Sequence, residues 1–462
     1  MGTTISVIGL FLALFLLVFL AYRGHSVIVI APIIAVVAII TSSGMDSHIM
    51  ANYTEVYMQG FANYVKNYFP LYLLGAVFAK LMEEAGYADA IADFVIAKLG
   101  VQRAVLSVVV ACSILTYGGV SLFVVAFVVL PIAITVFRQA DIPKRLIPGT
   151  IALGSLTFTM TALPGSPQVQ NTIPMTYFGT DAFAAPVLGL IAAAIMFICG
   201  MMWLNRRVKK AKEAGEGYGN YDDQPQKREN VNTPNIIFAL IPIVIIVIVN
   251  LACSKMIYPN INSDYLEDFG TVLSKVSGNW SVLIALIVSC IYIILMNLKR
   301  LTNLQGNLKE AAGNSFAPLI NSCAVVGFGS VVQGLAIFGI VQAFVLNLSS
   351  NPLISEFLSV NLLCGLTASA SGGLGTTLEV LAPTLMDMGA KYGIGPEVLH
   401  RIAFVSAGGL DSLPHNGATI TMLQLCGMTH KQSYLDMFMC TVVFPICSSL
   451  VIVILASLGL RF

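Results

Sequence analysis

Charge is what this 462-residue sequence has least of. Asp, Glu, Lys and Arg together supply 10% of its residues and the net charge is +1, where a soluble domain carries about 25% charged residues. There is no basic domain to receive nucleic acid. Nine cysteines are scattered singly with no C-x-x-C pair, so neither a disulfide framework nor a zinc site is indicated. The chain has no H-E-x-x-H, G-x-S-x-G or G-x-x-x-x-G-K-[ST] pattern and no paired histidines at helical spacing within a span, which removes the common hydrolase, phosphate-cradling and haem readings. Only Asp411 with His415 resembles a catalytic pair, and Pro414 spoils the helix between them. No enzyme, cofactor or metal site is expected.

What is present is hydrocarbon: 57% of the residues are hydrophobic. Runs such as 5–22, 27–40, 183–204, 236–251, 281–298 and 437–455 are mostly long enough to cross a core of about 30 Å as helices. The N-terminus lacks a basic n-region and an Ala-x-Ala site, so it is read as a first span and not a cleaved signal. The class is an all-α polytopic membrane protein, with the bilayer as its solvent and a bacterial inner membrane as the default location.

One polar segment, residues 205–234, holds Arg206, Arg207, Lys209, Lys210, Lys212, Lys227 and Arg228. The positive-inside rule places it in the cytoplasm. It divides the chain into membrane repeats 1–204 and 235–462. Each repeat then shows similar punctuation. Gly118-Gly119, Leu130-Pro131 and Leu163-Pro164-Gly165-Ser166-Pro167 in the first correspond to Gly372-Gly373, Ala382-Pro383 and Leu413-Pro414-His415-Asn416-Gly417 in the second. The proline interval is 33 residues in one (Pro131 to Pro164) and 31 in the other (Pro383 to Pro414). In lipid, unwound backbone survives only where protein or a wet cavity satisfies it. Matching breaks therefore imply two structural repeats, expected to be inverted, with broken helices and re-entrant segments meeting at a central site. The apolar pattern suggests about 11 to 13 spans and re-entrant pieces.

Broken helices expose N-termini that attract carboxylates, and neutral polar side chains add hydrogen bonds. The candidate anion-binding residues are Thr161, Ser166, Gln168, Gln170, Asn171 and Thr172 in the first repeat. In the second they are Ser371, Gly372, Thr376, Thr377, Ser412, Asn416 and Thr419. Ionisable groups at membrane depth are expensive and mark function, so Glu379, His415 and Asp411 are candidate proton carriers. His400 and Arg401 are expected at the interface, with Arg401 as an alternative bidentate partner for a substrate carboxylate.

At these residues the chain resembles the gluconate permease family, part of a wider ion-transporter grouping that includes citrate and dicarboxylate carriers. The resemblance is most specific over 122–131 and 161–167, and again at Leu381-Ala382-Pro383, Pro396-Glu397, Ser412, His415-Asn416-Gly417 and Gly427-Met428-Thr429. It implies a proton symporter of small hydroxy-acid anions, an inverted-repeat fold, and a homodimer with an elevator-like movement. The sugar-acid carriers of that family have glutamate where Val124 stands, and histidines around the first proline signature, where this chain has Thr, Met and Ser166. Fewer polar groups favour a less hydroxylated anion such as 3-hydroxybutyrate over gluconate. The sodium-coupled di- or tricarboxylate carriers are the alternative, with Asn171, Thr172, Asn416 and Thr419 near exposed carbonyls as ion ligands.

Overall fold

The computed structural model describes residues 8–9, 12–13, 15–17, 19–20, 26–43, 48–120, 122–221, 234–335, 351–367, 369–414 and 416–462. Among these, every regular element is helical.

The first elements are α1 (Val27–Ser43) and α2 (Met58–Glu84), joined through a π-helical turn at Asn52–Tyr57. Next come α3 (Tyr87–Leu99), α4 (Ala104–Tyr117) and α5 (Leu122–Gln139), then the short α6 (Ile147–Ser155), α7 (Phe158–Thr161) and α8 (Val169–Phe178). A long span, α9 (Pro186–Glu213), follows, and then α10 (Ile236–Ala252), α11 (Leu273–Met296) and α12 (Leu304–Gly334). The remainder is α13 (Pro352–Thr367), α14 (Ala370–Lys391), α15 (Pro396–Ser406), α16 (Gly417–Leu425), α17 (His430–Phe438) and α18 (Phe444–Ser457).

Five helical stretches among the described residues are long and apolar enough to cross a membrane: 186–213, 236–260, 276–296, 304–332 and 430–457. The α3–α4 pair, bent by 103°, makes a sixth if counted as one span. Their outer faces carry exposed Met202, Ile237, Ile248 and Leu295. That arrangement suits hydrocarbon and would be a liability in water.

Small residues decide which helices touch. A Cβ on Gly60 of α2 would come within 2.0 Å of Ser330 Oγ, and one on Gly327 within 2.8 Å of the Tyr57 carbonyl. Those glycines let α2 and α12 pack closely along their lengths, as small residues do between membrane helices. The Tyr57 hydroxyl donates across the same seam to the Ala324 carbonyl at 3.2 Å.

The breaks fall where the glycine pattern indicates in the first half, with Gly118-Gly119 between α4 and α5. The second half differs. Helix α14 already begins at Ala370, so Gly372 and Gly373 lie in its first turn and not in the break. Two reasons are visible: Ser369 Oγ accepts the Gly372 N–H at 3.1 Å as an N-cap, and a Cβ on Gly373 would lie 2.4 Å from the Cys364 Cα. Gly373 serves close packing of α13 on α14. The basic segment also begins as helix, since α9 continues to Glu213.

Beyond the spans, Asp436 of α17 ties the two halves together. Its nearly fully buried carboxylate accepts from Trp203 Nε1 at 2.9 Å, from Arg207 Nε at 2.8 Å and from Arg145 Nη1 at 3.3 Å. Arg145 also grips Glu216 through two hydrogen bonds, at 2.7 and 2.8 Å, and its guanidinium holds that carboxyl below the usual range. Removing one partner of such a cluster leaves uncompensated charge, which typically costs about 3–5 kcal/mol. Asp436→Ala is therefore expected to lower the thermal unfolding temperature of detergent-purified protein substantially. Unchanged unfolding would mean that the cluster is a surface feature only.

Candidate functional site

The site is built where α8 of the first half meets α14 and α15 of the second. The Leu163-Pro164-Gly165 corner makes this possible. Gly165 has φ +80, a left-handed conformation that glycine tolerates freely, and its N–H donates to the Ala182 carbonyl at 2.8 Å. The Tyr117 hydroxyl holds the Pro164 carbonyl at 2.9 Å, so the corner is fastened to the end of α4 beside the first break.

Asn171, wholly buried, is the hub. Its Nδ2 donates to the Ser166 carbonyl at 2.8 Å and to the Ala182 carbonyl at 3.1 Å. Its Oδ1 faces His400 Nε2 at 3.1 Å. Because the amide donors are already engaged, that Oδ1 is the acceptor and Nε2 carries the proton. On its other side, Nδ1 meets the Thr180 hydroxyl at 2.6 Å, which donates to it when the ring is neutral. The first signature is thus hydrogen-bonded to the second half through a residue expected at the interface.

That expectation is corrected by burial. His400 and Arg401 are both wholly inaccessible, because α15 is enclosed by α8, α9, α13, α14 and α18. The Arg401 guanidinium donates from Nε and Nη2 to the Ala184 carbonyl and from Nη1 to the Ala162 carbonyl. It also lies over the Phe404 ring at 5.2 Å. Arg401 therefore closes the ends of the first half's unwound segments.

The other first-half candidates surround the same corner. Thr161 donates to the Thr157 carbonyl and Thr172 to the Val169 carbonyl. Ser166 Oγ donates to the Thr159 carbonyl and accepts the Gln168 N–H. Gln168 Nε2 reaches the Thr116 carbonyl at 2.8 Å. Here Gln170 Oε1 and Thr116 Oγ1 are buried without a hydrogen-bond partner among the described residues. The N-terminus of α8 has no side-chain cap either.

Glu379 belongs to this site, because the Tyr177 hydroxyl of α8 donates to its Oε2 at 2.8 Å. The remaining α14 candidates are directed differently. Thr376 and Thr377 donate back to the Gly372 and Gly373 carbonyls. Ser371 meets Ser322 of α12 at 3.1 Å, which in turn meets the Tyr72 hydroxyl of α2 at 3.3 Å.

The second signature forms its own corner. Asn416 Oδ1 accepts the Thr419 N–H at 2.9 Å as the N-cap of α16, and Thr419 Oγ1 lies 3.4 Å from the Ser412 carbonyl. The Ser412 hydroxyl donates to Asp411 Oδ1 at 3.1 Å. The Ser412 and Pro414 carbonyls are held by Tyr434 and His430 of α17. His415 lies outside the described residues. No described hydrogen bond joins this corner directly to the first, but the loop leading into it does approach: a Cβ on Gly408 would come 2.3 Å from Thr161 Oγ1. The packing is reciprocal. Helix α8 rests on α14, and α16 rests on α5, so the short helix after each corner packs on a helix of the other half.

Sequence reasoning missed Tyr177 and Thr180, and misplaced His400 and Arg401. Tyrosine and threonine carry no penalty large enough to mark them in an apolar run. The His400-Arg401 pair was the available signal, since two ionisable groups inside an amphipathic run are costly wherever they are buried.

The family model for the GntP family permeases matches residues 5–459. An uncharacterized transporter, YxjC, of Bacillus subtilis (strain 168) is 41% identical over 97% of this chain and 98% of its own length. The high-affinity gluconate transporter of Escherichia coli (strain K12) is 24% identical, covering 87% of each chain. Among solved structures, the YdaH transporter of Alcanivorax borkumensis, described as having an unusual topology, aligns with a TM-score of 0.57 at 16% identity. It covers 91% of this chain and 90% of its own, which is a likeness of fold. With its apolar spans and its cross-braced corners, the chain is an integral membrane transporter and not an enzyme, and it belongs to the GntP permease family.

Proposed function

We propose that the protein is a proton-coupled symporter that brings a small hydroxy-monocarboxylate, of the 3-hydroxybutyrate or gluconate kind, into the cell. The carrying observation is the uncapped N-terminus of α8, bordered by two orphaned buried oxygens, Gln170 Oε1 and Thr116 Oγ1. Free N–H groups and the helix dipole favour a carboxylate there by up to about 2 kcal/mol. An α- or β-hydroxyl supplies the donor that Gln170 Oε1 lacks, and Thr116 Oγ1 can donate to the carboxylate. By contrast, Ser369 and Asn416 already cap α14 and α16. The relative of Escherichia coli bears gluconate in its name, which supports a hydroxy acid as cargo.

Glu379, beside the same corner, is suited to carry the coupling proton, with Asp411 and His415 as further carriers. The reciprocal packing of the short helices after each corner supports two inverted repeats, 1–204 and 235–462, in a bacterial inner membrane. The basic segment 205–234 is then cytoplasmic. The working unit is a homodimer with elevator-like movement, as the sequence resemblance implies.

Uptake of labelled 3-hydroxybutyrate and gluconate into proteoliposomes tests this directly. An imposed inside-alkaline gradient is expected to drive accumulation without sodium. Accumulation that needs sodium and ignores the pH gradient would transfer the protein to the sodium-coupled di- or tricarboxylate reading. Ohmic conductance without counterflow would make it a channel.

A further inference from the structure

Glu356 is the one carboxylate in α13, and it is wholly buried with neither Oε1 nor Oε2 meeting a hydrogen-bond partner among the described residues. It lies one turn inside the helix. The residue before α13, Asn351, donates to Ser457 Oγ at the end of α18, so the start of α13 sits at one end of the bundle. The C-terminal Phe462 carbonyl accepts the Leu188 N–H at the opening of α9. Because α9 ends in the basic segment, the orientation proposed above puts Glu356 near the outer face, about 6 Å along the helix from its start.

No counter-charge approaches it among the described residues. Helices α14, α15 and α18 pack on α13. Of their ionisable groups, Glu379 faces Tyr177, His400 faces Asn171 and Thr180, and Arg401 faces backbone carbonyls. Asp387, Lys391, Glu397 and Cys447 are exposed. Burial alone acts on Glu356. An ionised carboxylate in such a place costs several kcal/mol that nothing offsets, whereas a hydrophobic side chain would be tolerated there. A purely structural role gives no reason for an acid at this position.

The same helix leads inward. Asn361 is buried, its Oδ1 also lacks a partner, and a Cβ on Gly409 would lie 1.8 Å from it. Cys364, two turns beyond Glu356, lies within electrostatic reach of Asp411. Helix α13 thus links the unpartnered acid to the loop that carries the second signature.

Resting on the symport reading above, we propose that Glu356 is a proton-loading site of the transport cycle, holding its proton while buried as it is here and exchanging it with water when α13 separates from its neighbours. The proton enters from the outer aqueous phase, is carried as the O–H of the carboxylic acid, and leaves to the inner phase. No other bond forms or breaks.

The test uses full-length protein in proteoliposomes with labelled 3-hydroxybutyrate, and gluconate as a second probe. One coupled proton and a gradient of ~1 pH unit support about tenfold accumulation. In Glu356→Gln that accumulation should vanish while counterflow exchange of labelled for unlabelled anion persists, because the amide mimics the loaded acid. Glu356→Leu suits the dry surroundings, guards against a folding failure, and should likewise lose accumulation. Wild-type accumulation in either variant overturns the inference. If the wild-type protein itself ignores the pH gradient, the symport reading fails, and that outcome is distinct from failure of Glu356 alone.

Discussion

Replacing Arg401 by Met is expected to abolish the folded protein, or to leave a form that unfolds far below the wild type. The guanidinium satisfies the Ala162 and Ala184 carbonyls and is wholly enclosed. Methionine fills part of the volume but leaves two buried acceptors empty, at about 1–3 kcal/mol each. The backbone concerned is the unwound segment on either side of the first corner, which has no helical partner to fall back on. Arg401→Lys should recover only part of the loss, since one ammonium cannot reproduce a planar fork. Thermal unfolding in detergent, read by size-exclusion retention, measures this. Wild-type stability of the methionine variant would show that the guanidinium is not the tie described.

Asn171→Ala should have the largest effect on transport among the variants that still fold. Its amide joins the Ser166 and Ala182 carbonyls to His400, and so aligns α8 with α15. Losing two or three buried hydrogen bonds, at ~2–3 kcal/mol together, corresponds to a fall in uptake of about two orders of magnitude if all of it opposes the transporting conformation. Asn171→Asp separates the functions, because it retains the acceptor for His400 and loses both donors. Asn416→Ala is expected to be milder, near the ~1 kcal/mol of a helix cap, since Asn416 Oδ1 caps its own helix at the Thr419 N–H. Uptake per folded molecule decides the ranking. Equal losses in the two asparagine variants would contradict the unequal roles seen here.

These expectations show how unevenly the site could be read from residues alone. The first corner was legible because Pro-Gly-Ser-Pro interrupts an apolar run, and such an interruption has no benign explanation in lipid. Gly372 and Gly373 were misread as a break, because a glycine that permits unwinding and a glycine that permits helix contact look identical in sequence. The direction of Ser371, toward Ser322 and Tyr72 and not toward Asn171, depends on which neighbour occupies each face of α14. No local pattern encodes that.

By itself the sequence determined the medium, the helical class and the break at the first proline-glycine corner. Those follow from hydrocarbon length, charge scarcity and the conformational limits of proline and glycine, all of which act within a few residues. Only the tertiary structure decided that His400 and Arg401 lie inside, that Tyr177 reaches Glu379, and that Glu356 stands without a partner. The first two turn on groups about 200 to 240 residues apart meeting in a dry interior, and the third on no such meeting among the described residues, because the energy of a buried polar group is set by its neighbours and not by its own identity.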